Sequence, residues 1–368
     1  MRRVVKVSRI RIIITIIVVV LTTLLTGCTG KEPNEIAYVV ALGIDSTDDD
    51  NYKITIQYAN TTQISGGASE SGGKAGSEIV DNVTIEAPNI YAGVGLANNI
   101  VSKSFSMSHA KLIVFSKEIA EKGVKDMIET LVRSEEIRPD VFIAVANTTA
   151  NDYLTSVNPE MEVNPAQYYQ LIYQKNQLVG IPDGQLREFF TGLYTDNYDS
   201  ILPVAGVIEG AGGNSQNDDK GQSKDSQNEG SESSSESLDS FESKNSDENE
   251  KEKDAEKNTS KYEYDIKNYV GGETAIEKKN KAEAIGAAVF EKDKMVGELG
   301  EVETEICKML KGDYTYSYLT YYNNDTPDIP ITVKTTQQKK PKYKIDTDKK
   351  TVDIELYIES DLYSLPAD

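Results

Sequence analysis

The chain has 368 residues, enough for two or three domains, and its 60 acidic and 39 basic side chains give a formal net charge of −21. This acidity argues against binding to nucleic acid and against electrostatic docking on anionic lipid. One histidine and two cysteines leave too few ligands for a zinc site or a disulfide framework.

The N-terminal residues have the parts of a secretory signal. Met1–Arg11 is basic and contains no acid, and Ile12–Leu25 is a run of apolar residues and threonine. The run is about 14 residues long, whereas a membrane-spanning helix needs about 20. It ends in Leu25-Thr26-Gly27-Cys28, which resembles a bacterial lipobox, in which the Cys28 sulfur takes a diacylglycerol and the chain is cut before it. The alternatives are a transmembrane anchor or an ordinary signal with a chance cysteine.

Two strands are predicted directly after a short polar tether, residues 28–35. Ile36–Ile44 reads as a buried strand, and the residues from Tyr52 to Tyr58 alternate between apolar and polar. The two strands predict a hairpin. Its turn, Asp45–Asn51, could hold calcium, but it lacks the glycine and the closing glutamate of an EF-hand loop, so a solvated turn is favoured.

Strands and helices then alternate, which predicts a sheet covered by helices. Pro88 opens a helix that places Ile90, Val94, Ala97 and Val101 on one stripe. The other predicted elements are a strand at Val83–Glu86, a strand at Lys111–Ser116, a helix at Glu118–Arg133 that buries Val124, Ile128, Leu131 and Val132, a strand at Val141–Ala146, a helix from Asn164-Pro165 to about Lys175, and a helix at Leu186–Tyr194. Leu202-Pro203 is read as leading out of this domain.

Residues 211–261 differ in composition from the rest of the chain. Gly212–Ser260 contains 14 acids and 6 bases, and its only apolar side chains are Leu238, Phe241 and Ala255. Such a segment buries too little surface to offset its ordering entropy, which predicts a disordered acidic linker. Cation binding, or spacing from a wall polymer, is the functional alternative.

Regular structure is predicted again from Tyr262. Glu283–Phe290 and Lys294–Val296 predict a hairpin, and Glu301–Lys311 predicts a helix with Val302, Ile306, Met309 and Leu310 facing inward. Cys307, beside that face, is read as a small buried hydrophobe. Further strands are predicted at Tyr314–Tyr322, Ile331–Thr335, Tyr343–Ile345 and Val352–Ile358. Because no helix follows to cover this last sheet, we expect either another domain to cover it or a chain that is cut short.

No catalytic, cofactor-binding or metal-binding constellation is predicted, so the chain is not expected to be an enzyme. His109 is the only imidazole, which excludes a two-histidine metal site, and it is read as a strand-edge histidine that holds a backbone group. Gly93-Val94-Gly95 lies inside a predicted helix and not in a phosphate-binding turn.

Several separated blocks resemble the Ger(x)C family, the C-subunit lipoproteins of spore germinant receptors. They are the lipobox, the strand pair Ile36–Tyr58, Ser108-His109-Ala110-Lys111-Leu112-Ile113-Val114, Ile137-Arg138-Pro139-Asp140, and Ala287-Ala288-Val289-Phe290-Glu291-Lys292-Asp293-Lys294-Met295-Val296-Gly297. The blocks occur in the family's order, and the resemblance covers most of the mature chain outside the acidic linker.

The resemblance implies an α+β (mixed α/β) fold with three serial α/β domains after a lipoprotein signal. The expected boundaries are residues 1–27 for the signal, 28–35 for the tether, 36–210 for the N-terminal domain, 211–261 for the linker, 262–325 for the second domain and 326–368 for the start of a third, truncated domain. The linker is longer than expected for the family.

The function implied is that of a non-catalytic, lipid-anchored scaffold subunit of a nutrient receptor in spore germination. It would lie on the extracytoplasmic face of the spore inner membrane, held by a diacylglyceryl anchor on Cys28, with an A-type subunit and a transporter-like B-type membrane subunit as partners. The first rival is a substrate-binding lipoprotein of a membrane transporter, which would have two similar lobes with a cleft. The second is a wall-modifying hydrolase, which would need a metal site or a carboxylate pair.

Overall fold

The computed structural model describes residues 14–18, 35–49, 51–60, 80–159, 162, 164–174, 180–208, 264–265, 268–274, 280–323 and 326–364. The predicted lipidation residue Cys28 and the predicted linker, residues 211–261, lie outside the described residues. The described part combines helices and sheets, which confirms the α+β class. The number of domains stays a prediction.

Two sheets contain the strands of the described residues. The strands are β1 (Ile36–Ser46), β2 (Tyr52–Ala59), β3 (Val80–Ala87), β4 (Ser104–Ser106), β5 (Leu112–Ser116), β6 (Phe142–Ala146), β7 (Ser200–Val207), β8 (Tyr264–Asp265), β9 (Ala282–Glu291), β10 (Lys294–Leu299), β11 (Tyr316–Asn323), β12 (Thr326–Asp346) and β13 (Thr351–Ser364). The larger sheet has nine strands in the order β10-β9-β7-β6-β5-β1-β2-β3, with β4 beside β1. Its centre is parallel, from β1 through β5 and β6 to β7, and its two sides are antiparallel.

Helices cover both faces of the nine-stranded sheet. They are α1 (Ile90–Ala97), α2 (Lys117–Lys122), α3 (Lys125–Val132), α4 (Ala150–Ser156), α5 (Pro165–Gln174), α6 (Leu186–Leu193) and α7 (Glu301–Lys311). Side chains of β5 alternate between the faces: Ile113 and Phe115 pack in the core with α1, α2, α3 and α6, whereas Leu112 and Val114 pack in the core with α4 and α5. A parallel centre buried on both faces explains why β5 and β6 are continuous apolar runs.

The predicted hairpin of β1 and β2 is confirmed, with Leu42 opposite Ile56 and Ile44 opposite Ile54. The prediction of one helix over Glu118–Arg133 is wrong, because α2 ends at Lys122 and α3 begins at Lys125. Gly123 between them has a φ of +124°, and the Val124 N–H donates to the Asp293 carbonyl over 3.0 Å. A hydrogen bond to the β9–β10 turn therefore takes the place of the next hydrogen bond within the helix.

Helix α4 was not predicted, and Asp45 explains its start. The Asp45 carboxylate accepts the N–H groups of Ala150 at 2.6 Å and Asn151 at 3.1 Å, while Thr149 caps the same helix through Asp152 N–H at 3.0 Å. Desolvation raises the pKa of Asp45, although the two backbone bonds oppose that rise. At Asp45 the acidic turn is therefore a buried helix-capping site and not a solvated one.

Strand β7 contains Leu202-Pro203, where the sequence predicts the exit from the domain. β7 pairs with β6 only at Val204 and Ala205, and its pairing with β9 shifts register between Pro203 and Ala205. A proline lacks the N–H that a regular ladder needs, so it fits a strand at such an irregularity.

The predicted hairpin of β9 and β10 is confirmed, and it extends the larger sheet instead of beginning a separate one. β9 pairs antiparallel with β7 from Ser200–Phe290 to Val207–Ala282. Nearby, Asn147 Nδ2 donates to the Gly271 carbonyl at 2.8 Å, and its Oδ1 accepts from Val207 N–H at 3.1 Å. The Asn147 side chain thereby bridges the main chain that precedes the acidic segment and the main chain that follows it.

The second sheet has the order β13-β12-β11-β8. The prediction of three separate strands after residue 330 is wrong, since β12 and β13 are two long paired strands. Register shifts between Gln337 and Lys339 and between Lys339 and Lys342 absorb the polar run that was read as a break. Bulges of this kind let pairing continue through an irregular stretch.

One face of the β12–β13 pair carries exposed apolar side chains, as expected for an uncovered sheet. They are Tyr343, Ile345, Val352, Ile354, Leu356 and Ile358. Opposite residues on the two strands, Ile345 with Val352 and Tyr343 with Ile354, make this apolar face continuous. Among the described residues, no helix has both the length and the apolar character needed to cross a membrane.

Candidate functional site

A cleft of about 460 Å³ lies between the nine-stranded sheet and the C-terminal end of α7. One wall comes from the loop before α6, from α6 and from the start of β7, and the other comes from α7 and the turn after it. Charged and aromatic side chains dominate the lining: Asp183, Glu188, Phe189, Tyr198, Lys308, Lys311, Asp313 and Tyr314. The cleft therefore presents carboxylates and ammonium groups on facing walls.

Helix α7 is held at both ends, which fixes the lysines in the cleft. The Glu303 carboxylate accepts Gly300 N–H at 2.9 Å, and Gly312 ends the helix with a φ of +76°. Lys308 and Lys311 lie in the last turn, where positive charge interacts favourably with the helix dipole. The Lys311 ammonium also lies 5.6 Å from the centre of the Tyr198 ring.

The predicted inward face of α7 is wrong at Ile306, whereas Met309 is buried and Val302 and Leu310 are half-buried. Ile306 is 47% exposed, whereas Thr304, Glu305 and Lys308 are at most 5% exposed. The helix packs against β9 and β12, and the strand positions beneath it carry hydroxyl groups. Because the Ser317 hydroxyl hydrogen-bonds to the Glu305 carboxylate, the polar side of the helix faces inward.

Glu305 is the centre of this buried polar cluster. Ser317 Oγ donates to Glu305 Oε2 at 2.6 Å, Tyr314 OH lies 2.6 Å from Ser317 Oγ, and Tyr314 OH also bonds to Thr335 Oγ1. Burial raises the pKa of Glu305 to about 7, although the bond from Ser317 and the charge of Lys308 oppose the rise.

Burial shifts the pKa of Lys308 in the opposite direction. Burial lowers the pKa of Lys308 to about 8, while the carboxylates of Glu305 and Asp313 oppose that fall. Across the cleft, desolvation raises the pKa of Asp183, and the nearby charges of Glu188 and Asp313 add to the rise. The cleft thus contains Lys308, whose pKa lies near neutral pH, and Glu305 lies next to it in the buried cluster.

This arrangement can hold a small polar molecule through ion pairs and hydrogen bonds. None of the described residues belongs to a group of three or more His, Cys, Asp or Glu side chains that could hold a metal ion. Cys307 on α7 is a free thiol. It is half-buried, whereas the sequence predicts a buried side chain.

His109 does not line the cleft. It ends a 3₁₀ turn, Met107–His109, where its Nδ1 lies 3.0 Å from Ser108 Oγ and its ring packs edge-on against Tyr38 at 4.6 Å. The prediction that it holds a backbone group is not met, because the 3₁₀ turn directs the ring outward to side-chain partners. The predicted lipidation residue Cys28 lies outside the described residues.

Sequence reasoning missed Glu305 and Lys308 as site residues. Their spacing, i and i+3, is ordinary for an exposed helix pair, and the apolar stripe of α7 pointed elsewhere. The one signal was the pair of hydroxyl residues Ser317 and Thr335, which lie directly opposite each other on β11 and β12.

Two family models match the chain on either side of the acidic segment. Residues 30–207 match the Spore germination protein N-terminal domain, and residues 285–368 match the Spore germination B3/GerAC like, C-terminal domain. No solved structure matches the chain.

Curated relatives in Bacillus subtilis (strain 168) match parts of the chain. Spore germination protein KC is 26% identical over 174 residues, which are 44% of this chain and 42% of the relative. Putative spore germination protein YfkR is 28% identical over 145 residues, 39% of this chain and 37% of the relative. Spore germination protein B3 is 26% identical over 148 residues, 38% and 36% of the two chains. The matched part spans less than half the length of each relative.

Proposed function

Since the chain belongs to the Ger(x)C family of spore germination proteins, we propose that it is a lipid-anchored, non-catalytic subunit of a spore germinant receptor. In this role it is a scaffold at the membrane surface, and it docks an A-type subunit and a transporter-like B-type membrane subunit. Family membership supports a role in spore germination. The shared sheet and the N-terminal sequence, described next, support the more specific role of an anchored scaffold.

One observation carries the scaffold role: the two family segments build one sheet. The N-terminal segment ends at Val207, the last residue of β7, and the C-terminal segment begins within β9, the strand that pairs with β7. The acidic segment between them therefore does not separate two independent sheets. A continuous sheet with helices on both faces suits a rigid platform for docking other subunits.

The anchor is proposed from the N-terminal sequence. The basic start, the short apolar run and Leu25-Thr26-Gly27-Cys28 support transfer of a diacylglyceryl group to Cys28, and two acyl chains suffice for stable anchoring. We expect Cys28→Ala to leave unprocessed precursor without lipid. Metabolic labelling with a fatty acid measures this, and normal labelling of the variant contradicts the assignment.

The partner proposal is tested by purifying the epitope-tagged chain from detergent-solubilised spore membranes and identifying bound proteins by mass spectrometry. We expect a multi-span transporter-like protein and an A-type subunit, and we expect both to be lost from membranes of the Cys28→Ala strain. Recovery of an ATP-driven permease would instead support the substrate-binding lipoprotein. Recovery of no membrane protein from correctly anchored chain contradicts the receptor assignment.

A further inference from the structure

The start of β1 lies beside an exposed apolar corner of the molecule. Ile36 pairs with Ser104 of β4, and the chain reaches β4 directly from α1 and the turn that follows it. Leu96, in the last turn of α1, is 48% exposed, and Ile100 in the following turn is 68% exposed. We call Leu96 and Ile100 the β1-end patch.

The turn that presents Ile100 is held by hydrogen bonds. Ile100 N–H donates to the Ala97 carbonyl at 3.0 Å, and Asn99 N–H donates to the Leu96 carbonyl at 3.0 Å. Asn98 Oδ1 accepts Phe105 N–H at 2.8 Å, which ties the turn to β4. The exposure of Ile100 is therefore a property of the fold, since the local backbone holds the side chain outward.

The segment that carries the β1-end patch is unusual for this chain in its charge. Residues 87–117, which include α1, the turn and β4, contain no aspartate or glutamate, although the whole chain has 60 acidic residues. An ionised carboxylate is costly to bring into a low-dielectric region. The segment that carries the patch therefore brings no carboxylate of its own to lipid, while Glu135 and Glu136 line the adjoining cleft beside Gly95 and Asn98.

The length of chain before β1 limits how far this end can lie from a membrane. Cys28 and Ile36 are separated by seven residues, so their Cα atoms are at most roughly 29 Å apart even in a fully extended chain. If Cys28 carries the proposed lipid, the start of β1 and the adjacent patch form the end of the sheet tethered closest to the bilayer.

We propose that this end of the sheet is a membrane-contacting surface, with Leu96 and Ile100 inserted into the interfacial region of the lipid bilayer. The inference rests on the proposed lipid anchor and adds an orientation to it. Since the chain is acidic overall, the contact is apolar and not electrostatic, so high salt should not weaken it. The exposed face of β12–β13 is the rival surface for the same role.

The absence of tryptophan allows a single-reporter experiment on the full lipidated chain. Ile100→Trp places the reporter in the patch, and Ile345→Trp places it on the β12–β13 face at a residue with the same 68% exposure. Each variant is reconstituted into vesicles of phosphatidylethanolamine and phosphatidylglycerol with or without brominated acyl chains. Flotation with the vesicles reports anchoring, and fluorescence reports lipid contact.

We expect both variants to float, and only the Ile100→Trp emission to shift to the blue and lose intensity with brominated lipid, at low and high salt alike. Adding Leu96→Asp to the Ile100→Trp chain should reduce that quenching while flotation is retained. Flotation of the Ile100→Trp chain without quenching, or quenching at the β12–β13 reporter alone, overturns the inference and leaves the anchor intact. Failure of both variants to float contradicts the proposed lipid anchor, and with it the premise of this inference.

Discussion

At Glu305, burial acts on a single carboxyl group strongly enough to move its titration to neutral pH. The side chain is 2% exposed, and its pKa is raised from 4.5 to about 7. The folded protein therefore retains a proton that the unfolded chain has already lost between these two values. Folding takes up a proton in that window, so a rise in pH disfavours the folded state.

We expect the free energy of unfolding of the native chain to contain a contribution from Glu305 that is fully present below about pH 4.5 and is lost as the pH rises to about 7. Glu305→Gln should remove this contribution, because an amide does not titrate and can still accept the Ser317 hydroxyl. Between pH 4.5 and about 7, the free energy of unfolding of the native chain should fall by about 1–3 kcal/mol more than that of Glu305→Gln. Urea unfolding across this pH range measures it.

Lys308→Met is the matched control on the same helix. It removes the ammonium that opposes the rise in the Glu305 pKa, so the loss of stability between pH 4.5 and about 7 should persist or increase. If Glu305→Gln and the native chain have the same slope, Glu305 is not the titrating group.

At the scale of elements, the contact between β7 and the main chain after the acidic segment depends on glycine. A Cβ on Gly206 would lie 2.1 Å from the Gly271 carbonyl carbon and 2.1 Å from the Gly272 nitrogen. These neighbours are backbone atoms and cannot rotate away. The close approach therefore requires hydrogen in place of a side chain.

Gly206→Ala should lower the free energy of unfolding by about 1–3 kcal/mol, because the added methyl group overpacks this contact. Gly95→Ala is the control: it lies on the exposed side of α1 with no atom within 4 Å of an added Cβ, and it should raise stability by about 0.5–1 kcal/mol. Thermal denaturation followed by circular dichroism compares them. Equal effects of the two changes would contradict a close contact at Gly206.

The β12–β13 pair shows what an element does when one of its faces is left uncovered. Its apolar side chains are 36% to 68% exposed, and contiguous exposed apolar surface of this kind promotes association. Ile354→Lys should reduce concentration-dependent self-association of the isolated chain and change the free energy of unfolding by less than about 0.5 kcal/mol. Sedimentation velocity at several concentrations measures the association.

Thr351→Lys introduces the same charge on the opposite, polar face of β13. We expect it to leave self-association near that of the native chain. An equal reduction by both variants would mean that net charge, and not the apolar face, controls association.

At the scale of the whole molecule, the chain leaves β7 and returns to the same place. Gly206 is in contact with Gly271 and Gly272, and Ile208 N–H donates to the Lys281 carbonyl at 2.9 Å. The ends that flank the acidic segment are therefore held together by the fold itself. A much shorter connection between them closes a smaller loop at lower entropic cost.

Excision of Gly212–Ser260 should consequently leave the fold intact. The only apolar side chains of the segment are Leu238, Phe241 and Ala255, so its composition offers little apolar surface to bury. We expect the melting temperature of the shortened chain to lie within about 3 °C of the native value. A large drop would show that the acidic segment packs against the folded part.

The sequence by itself determined the elements whose signal is local. Side-chain periodicity is enough to predict the alternating strand β2 and the continuous apolar strands β5 and β6. The turn residues between β9 and β10 are likewise neighbours in sequence. The family blocks are local in the same sense, since each is a short run of neighbouring residues. Together they were enough to predict the class of fold and the family.

The tertiary structure decided what depends on residues distant in sequence. Gly123 breaks a helix because the β9–β10 turn offers a bond to Val124, and β7 becomes a central strand because β9 pairs with it across the acidic segment. Helix α7 turns Glu305 inward because the Ser317 hydroxyl donates a hydrogen bond to it there. In each case a partner far along the chain outweighs the local pattern. Periodicity measures only whether a side chain is apolar, so it cannot report a buried carboxylate that a hydroxyl satisfies.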